Sequence, residues 1–113
     1  MRYWKYIIGK IVKVTIDRTL GYRHPKYADI IYPVNYGYIK GIVAPDGEEQ
    51  DAYVVGVNVA VKEFTGRVIA VIHRYDDVEK KWVVAPDGLN FTQEEIRAQV
   101  DFQEQYFKYC ILM

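Results

Sequence analysis

The sequence predicts a mainly β fold with one C-terminal helix, a small barrel forming a single domain over residues 1–113. Three observations carry that reading. The first two-thirds is a series of apolar, β-branched runs separated by Gly, Pro and Asp. The hydrophobic period then changes after Thr92 from that of a strand to that of a helix. No repeat, linker or low-complexity segment interrupts the chain, and 113 residues suffice for one core but not two.

Ile7 to Ile16 is β-branched, with Lys10 and Lys13 interrupting it as in a half-exposed strand. Thr19 to Asp29 mixes Gly21, Arg23, His24, Pro25 and Lys26, which is loop chemistry. Tyr32 to Val43 is the second strand region, and Gly37 inside it signals a bulge or a close backbone approach. Pro45-Asp46-Gly47 turns the chain, and Ala52 to Val61 and Gly66 to Tyr75 are apolar strand runs. Lys80 to Ala85 is a short last strand, ended by Pro86-Asp87-Gly88. Thr92 and Glu95 have capping-box spacing, and Ile96, Val100, Phe107 and Cys110 then fall near one helical face.

Composition narrows the function. Fifteen basic and fifteen acidic residues cancel, so no global field recruits nucleic-acid or membrane phosphates. No run approaches the roughly 20 apolar residues that span a bilayer, and the start lacks a signal-peptide pattern. One cysteine, Cys110, cannot form an internal disulfide, and a cytoplasmic location is expected. His24 and His73 are isolated, which argues against zinc, and His73 is expected to be a satisfied structural residue. Eleven tyrosines would suit base stacking, but Tyr3, Tyr6, Tyr22, Tyr27 and Tyr75 are read as straddling a barrel surface.

Two acidic clusters remain. Asp46-Gly47-Glu48-Glu49-Gln50-Asp51 runs into the strand at Ala52, and Asp76-Asp77-Val78-Glu79-Lys80-Lys81 runs into the one at Trp82. In an extended segment, Asp77, Glu79 and Lys81 share one face. Carboxylates gathered in one place repel each other, and a divalent cation relieves the repulsion; Mg2+ prefers such hard oxygen donors together with substrate phosphates. Taken alone, each cluster is also an ordinary solvated turn or strand end. Composition and spacing therefore stop at a possible divalent-cation site.

With Tyr32-Pro33-Val34-Asn35-Tyr36-Gly37-Tyr38-Ile39 ahead of them, the two clusters resemble, in order, three motifs of the family I soluble inorganic pyrophosphatases. The resemblance implies a closed, OB-like, five-stranded barrel and Mg2+-dependent hydrolysis of pyrophosphate to two orthophosphates. It implies metal ligands among Asp46, Glu48, Asp51, Asp76, Asp77 and Glu79, with Asp51 central. It implies catalytic roles for Glu48, Tyr36 and Lys81, and phosphate contacts from Lys13, Tyr36, Lys81, Tyr106 and Lys108. The phosphate-binding arginine is Arg23 or Arg18. Homo-oligomers are usual in the family. Glu48 and Glu79 stand where the family has aspartate, and Thr15 where it has glutamate. One added methylene moves a carboxylate by about 1.5 Å, so the alternative is a barrel that binds a phosphate-containing ligand or a protein without turnover.

Overall fold

The computed structural model describes residues 3–75 and 79–113. Six strands and two helices are present among them: α1 (Trp4–Ile7), β1 (Ile11–Arg18), β2 (Asn35–Val43), β3 (Glu49–Val54), β4 (Glu63–Arg74), β5 (Lys80–Ala85), α2 (Gln93–Glu104) and β6 (Tyr109–Leu112). The sheet order is β1-β2-β3-β5-β4, and β4 pairs back onto β1, which closes a five-stranded barrel. All pairings are antiparallel except β3 with β5. Strand β4 is long enough to serve two neighbours on one edge. Its residues Glu63 to Arg67 pair with β1, and Val71 to Arg74 pair with β6.

Side chains alternate between two faces. Val12, Val14, Ile39, Ala52, Val54, Val68, Val71, Trp82 and Val84, drawn from all five barrel strands, fill the interior. The opposite parity gives Tyr36, Tyr53, Ile72, Val83 and Ala85, which pack outside the barrel against Ile96 and Val100 of α2. Lys81, Asp51 and Arg74 belong to this outer parity by their positions on β5, β3 and β4.

Several expectations hold locally. Thr92 caps α2 with the reciprocal pair expected, Glu95 N–H to Thr92 Oγ1 at 3.1 Å and Thr92 N–H to Glu95 Oε1 at 2.8 Å. Gly37 is a close approach: a Cβ built there lies 1.8 Å from the Thr15 carbonyl oxygen, opposite an irregularity in β1. Pro45-Asp46-Gly47 and Pro86-Asp87-Gly88 turn as expected, with Gly47 and Gly88 at positive φ.

Four expectations are corrected. Trp4–Ile7 is a helical turn, and the first strand starts at Ile11. The run from Ala52 leaves the sheet after Val54, where Gly56 takes φ +79°. Helix α2 stops at Glu104, so Phe107 and Cys110 are not on it. Tyr109–Leu112 is instead a strand, because the β4 edge beyond β1 leaves backbone groups that β6 satisfies. Finally, His73 is not satisfied: its buried Nδ1 has no hydrogen-bond partner among the described residues.

Gly37→Ala forces two backbones apart, not merely a side chain. It is expected to cost about 3 kcal/mol or more, read as a lowered urea midpoint or failure to fold.

Candidate functional site

Beyond the last turn of α2 the outer barrel face turns from apolar to charged. Lys81, 4 % exposed, sits at the centre. Its ammonium donates to the Tyr36 hydroxyl at 2.7 Å, to Asp51 Oδ2 at 2.7 Å, and to Glu79 Oε1. An ammonium has three N–H groups, so Lys81 has no spare donor in this state. The strand pairing explains the convergence. Ala52 and Trp82 are partners in the parallel β3–β5 pair, which sets Asp51 beside Lys81.

The ionisation states follow from this packing. Burial opposes the Lys81 charge, but the Tyr36 hydroxyl oxygen, the Asp51 carboxylate and hydrogen bonds to Asp51 and Glu79 outweigh it and raise its pKa. Burial likewise works to raise the Asp51 carboxyl, yet the Lys81 charge and bonds with Lys81, Glu79 and Tyr36 hold it below the usual carboxylate range. Tyr36 is pushed well up by burial, so its phenol stays protonated as a hydroxyl donor.

Glu79 joins this centre to a second one. Its Oε2 accepts from Arg74 Nη1 at 3.1 Å. The rest of the Arg74 fork grips Glu104 of α2, Nε to Oε1 at 2.8 Å and Nη2 to Oε2 at 2.6 Å. Glu104 is fully buried and also accepts from the Tyr53 hydroxyl at 2.7 Å. Gln103 donates to Tyr53 at 2.7 Å and accepts from Tyr32 at 3.0 Å, and Tyr32 accepts from Arg18. The Phe107 ring lies 3.7 Å from the Arg74 guanidinium, closing over it. A cavity of about 590 Å3 opens here, with Arg18, Arg74, Lys81 and Tyr36 among its lining.

The expected site residues divide. Lys81, Tyr36, Asp51 and Glu79 come together, and Tyr106 lines the same cavity. Of the two candidate arginines, Arg18 lines the cavity, while Arg23 is exposed and donates to the Ala28 carbonyl. Lys13 is exposed on β1 and paired with Glu63 at 3.0 Å, and Lys108 is exposed near the start of β6. Asp46 and Glu48 lie on the exposed β2–β3 turn, where the Glu48 N–H bonds to Asp46 Oδ1 at 3.0 Å. Asp76 and Asp77 lie outside the described residues. Among the described residues no group of three or more His, Cys, Asp or Glu is placed to hold a metal ion.

No protein-family model and no curated protein matches the sequence. Solved structures do. An inorganic pyrophosphatase from Ehrlichia chaffeensis superposes with a TM-score of 0.66 at 19% identity, over 90% of this chain and 84% of that one. One from Coxiella burnetii gives 0.64 at 16%, over 92% and 86%. One from Neisseria gonorrhoeae gives 0.59 at 23%, over 87% and 74%. The barrel has the fold of an inorganic pyrophosphatase.

Within this pyrophosphatase-like barrel, sequence reasoning missed Arg74, Glu104, Tyr53, Gln103 and Tyr32. A signal for two of them existed. Glu104 continues the Ile96–Val100 spacing, so a carboxylate falls on an apolar helical stripe. Arg74 continues the alternation of Ala70 and Ile72. A charge at a core position of each of two elements implies a pair.

Two outcomes follow. Glu104→Ala leaves Arg74 buried without its main counter-ion and is expected to cost about 3–5 kcal/mol, measured by chemical denaturation. The Asp51 carboxyl is held below its unfolded value, so its stabilisation is full above about pH 4 and is lost as pH falls through the lowered folded value. In acid titrations the stability gap between wild type and Asp51→Asn should therefore close at low pH.

Proposed function

We propose that this cavity binds inorganic pyrophosphate and that the protein hydrolyses it, with Mg2+, to two orthophosphates. The supporting observation is that Arg18, Arg74 and Lys81 face one cavity, and that Lys81 there carries the carboxylates of Asp51 and Glu79. Cations on rigid strands suit phosphoryl chemistry, which asks mainly for positioning and charge neutralisation.

The donor set suits Mg2+ in its usual manner, in which one or two carboxylates and the substrate phosphates complete a largely hydrated ion. Asp51 and Glu79 are the described residues that would hold it, with Asp76 and Asp77 as further expected ligands. Asp46 and Glu48 would contribute from the β2–β3 turn. Bound Mg2+ supplies charge neutralisation on phosphate oxygens and a more acidic water.

The chain's own groups do the rest. Asp51 stays ionised at neutral pH because Lys81 lies against it. Tyr36 keeps its proton and presents a hydroxyl donor. Lys81 remains a cation, and for its ammonium to donate to a phosphate oxygen, one of its three present acceptors must turn away. Glu48 is the expected base for the attacking water. Lys13, Tyr106 and Lys108 are the outer phosphate contacts in this reading. A homo-oligomer and a cytoplasmic setting belong to it as well, and exposed Tyr6, Val43 and Val59 are apolar surface that an assembly would cover.

One observation favours a second reading. The described carboxylates do not gather into a set of three, and Glu48 stands on an exposed turn. A barrel so arranged binds a phosphate-containing ligand or a protein without turnover. Phosphate release from pyrophosphate, measured with Mg2+ and with chelator, separates the two. The first reading expects release with Mg2+ only, falling about 100-fold or more in Asp51→Asn while circular dichroism is unchanged. Calorimetric binding of pyrophosphate with no release establishes the second.

A further inference from the structure

The cavity is larger and more aromatic than inorganic pyrophosphate requires. Its volume, about 590 Å3, lies within the ~300–1,000 Å3 of pockets that enclose organic ligands. Its chemistry is also divided by origin. The cations come from the barrel: Arg18 from β1, Arg74 from β4 and Lys81 from β5. Beside Tyr36 of β2, the aromatics His24 and Tyr27 come from the β1–β2 loop, and Tyr106 and Phe107 from the segment joining α2 to β6.

Single aromatics at a surface are ordinary. Here these four share one cavity with Tyr36, and two have large free areas, Tyr27 at 53% and Tyr106 at 66% exposed. The loop that carries Tyr27 is shaped by His24, whose Nδ1 accepts from the Lys26 and Tyr27 N–H groups, both at 3.1 Å. Tyr27 is thereby held close to the His24 ring, with centroids 5.2 Å apart, instead of being packed into the core. Asp29 is the one acidic residue lining the cavity among the described residues, and it comes from this same loop. A carboxylate there repels phosphate toward the barrel cations and accepts hydrogen bonds from hydroxyl or amino groups.

We propose that the cavity accepts a diphosphate ester carrying an aromatic group, a nucleoside diphosphate, with its diphosphate at Arg18, Arg74 and Lys81 and its base against Tyr27 on the β1–β2 loop. The proposal rests on the reading of this cavity as a phosphate site and extends it to the organic part of the ligand. Stacking of a base on an aromatic side chain is sequence-tolerant and contributes enough to change affinity about tenfold.

The test is calorimetry of the full chain in Mg2+ with ADP, inorganic pyrophosphate and adenosine, for wild type and Tyr27→Ala. The exposed position of Tyr27 makes the variant safe for folding, which circular dichroism checks. ADP is expected to bind and to displace pyrophosphate, adenosine to bind far more weakly, and Tyr27→Ala to weaken ADP about tenfold more than it weakens pyrophosphate. If pyrophosphate binds and ADP does not compete, the inference falls while the phosphate site stands. Equal loss of both ligands in Tyr27→Ala also overturns it. If ADP binds and pyrophosphate is neither bound nor cleaved, the inorganic reading falls and this one stands. Binding of neither removes both.

Discussion

The buried ammonium of Lys81 is the constraint around which the rest of the site is arranged. A charge taken from water must be repaid by close partners, and each of its three N–H groups has one. Those partners come from β2, from β3 and from the residue just before β5, so one cation ties three strands together at the same level. The ties also set ionisation. Lys81 keeps Asp51 charged, and the apolar surroundings that force Lys81 to be paired keep Tyr36 protonated. A one-residue slip between β3 and β5 would turn Lys81 into the barrel interior, among Ala52, Val54 and Val84, where no acceptor waits. Register and electrostatics thus enforce each other.

The second buried cation extends the arrangement to the helix. Arg74 shares Glu79 with Lys81 and otherwise belongs to Glu104, so α2 is joined to the barrel by a fork of two short bonds as well as by Ile96 and Val100. The outer face of the barrel is therefore continuous: apolar where the helix lies on it, ionic where the helix stops. The cavity opens at that boundary. Rigid strands hold its cations and Tyr36, and two connecting segments supply His24, Tyr27, Tyr106 and Phe107 around them.

Much of this was legible in the sequence, for physical reasons that differ by element. Lys80–Ala85, the two Pro-Asp-Gly turns and the Thr92 cap are local, decided by residues within a few positions of each other. Strand β6 was not, because Tyr109–Leu112 becomes a strand only through an edge of β4 that β1 leaves unpaired. The site shows the same split. Lys81, Glu79 and Asp51, which the structure brings together, stand in motifs that adjoin strands that are themselves legible. Glu104 was passed over because its partner Arg74 lies thirty positions earlier, and only the fold brings the two together. The pairing of Lys13 with Glu63 across the β1–β4 seam was not legible either, because barrel closure creates it.

That closure has a consequence in time. Strand β1 must wait for β4 before the barrel can shut, and β4 must wait for α2 before Arg74 meets Glu104. Contacts so distant along the chain slow folding, because the entropy of ordering the intervening segment is lost before they reward it. During synthesis from the N-terminus, the strands emerge with an arginine destined for burial and its carboxylate not yet made. Until Glu104 and β6 arrive, the nascent barrel holds an unmatched cation and an open sheet edge, and in that interval it is most exposed to pairing with a neighbour.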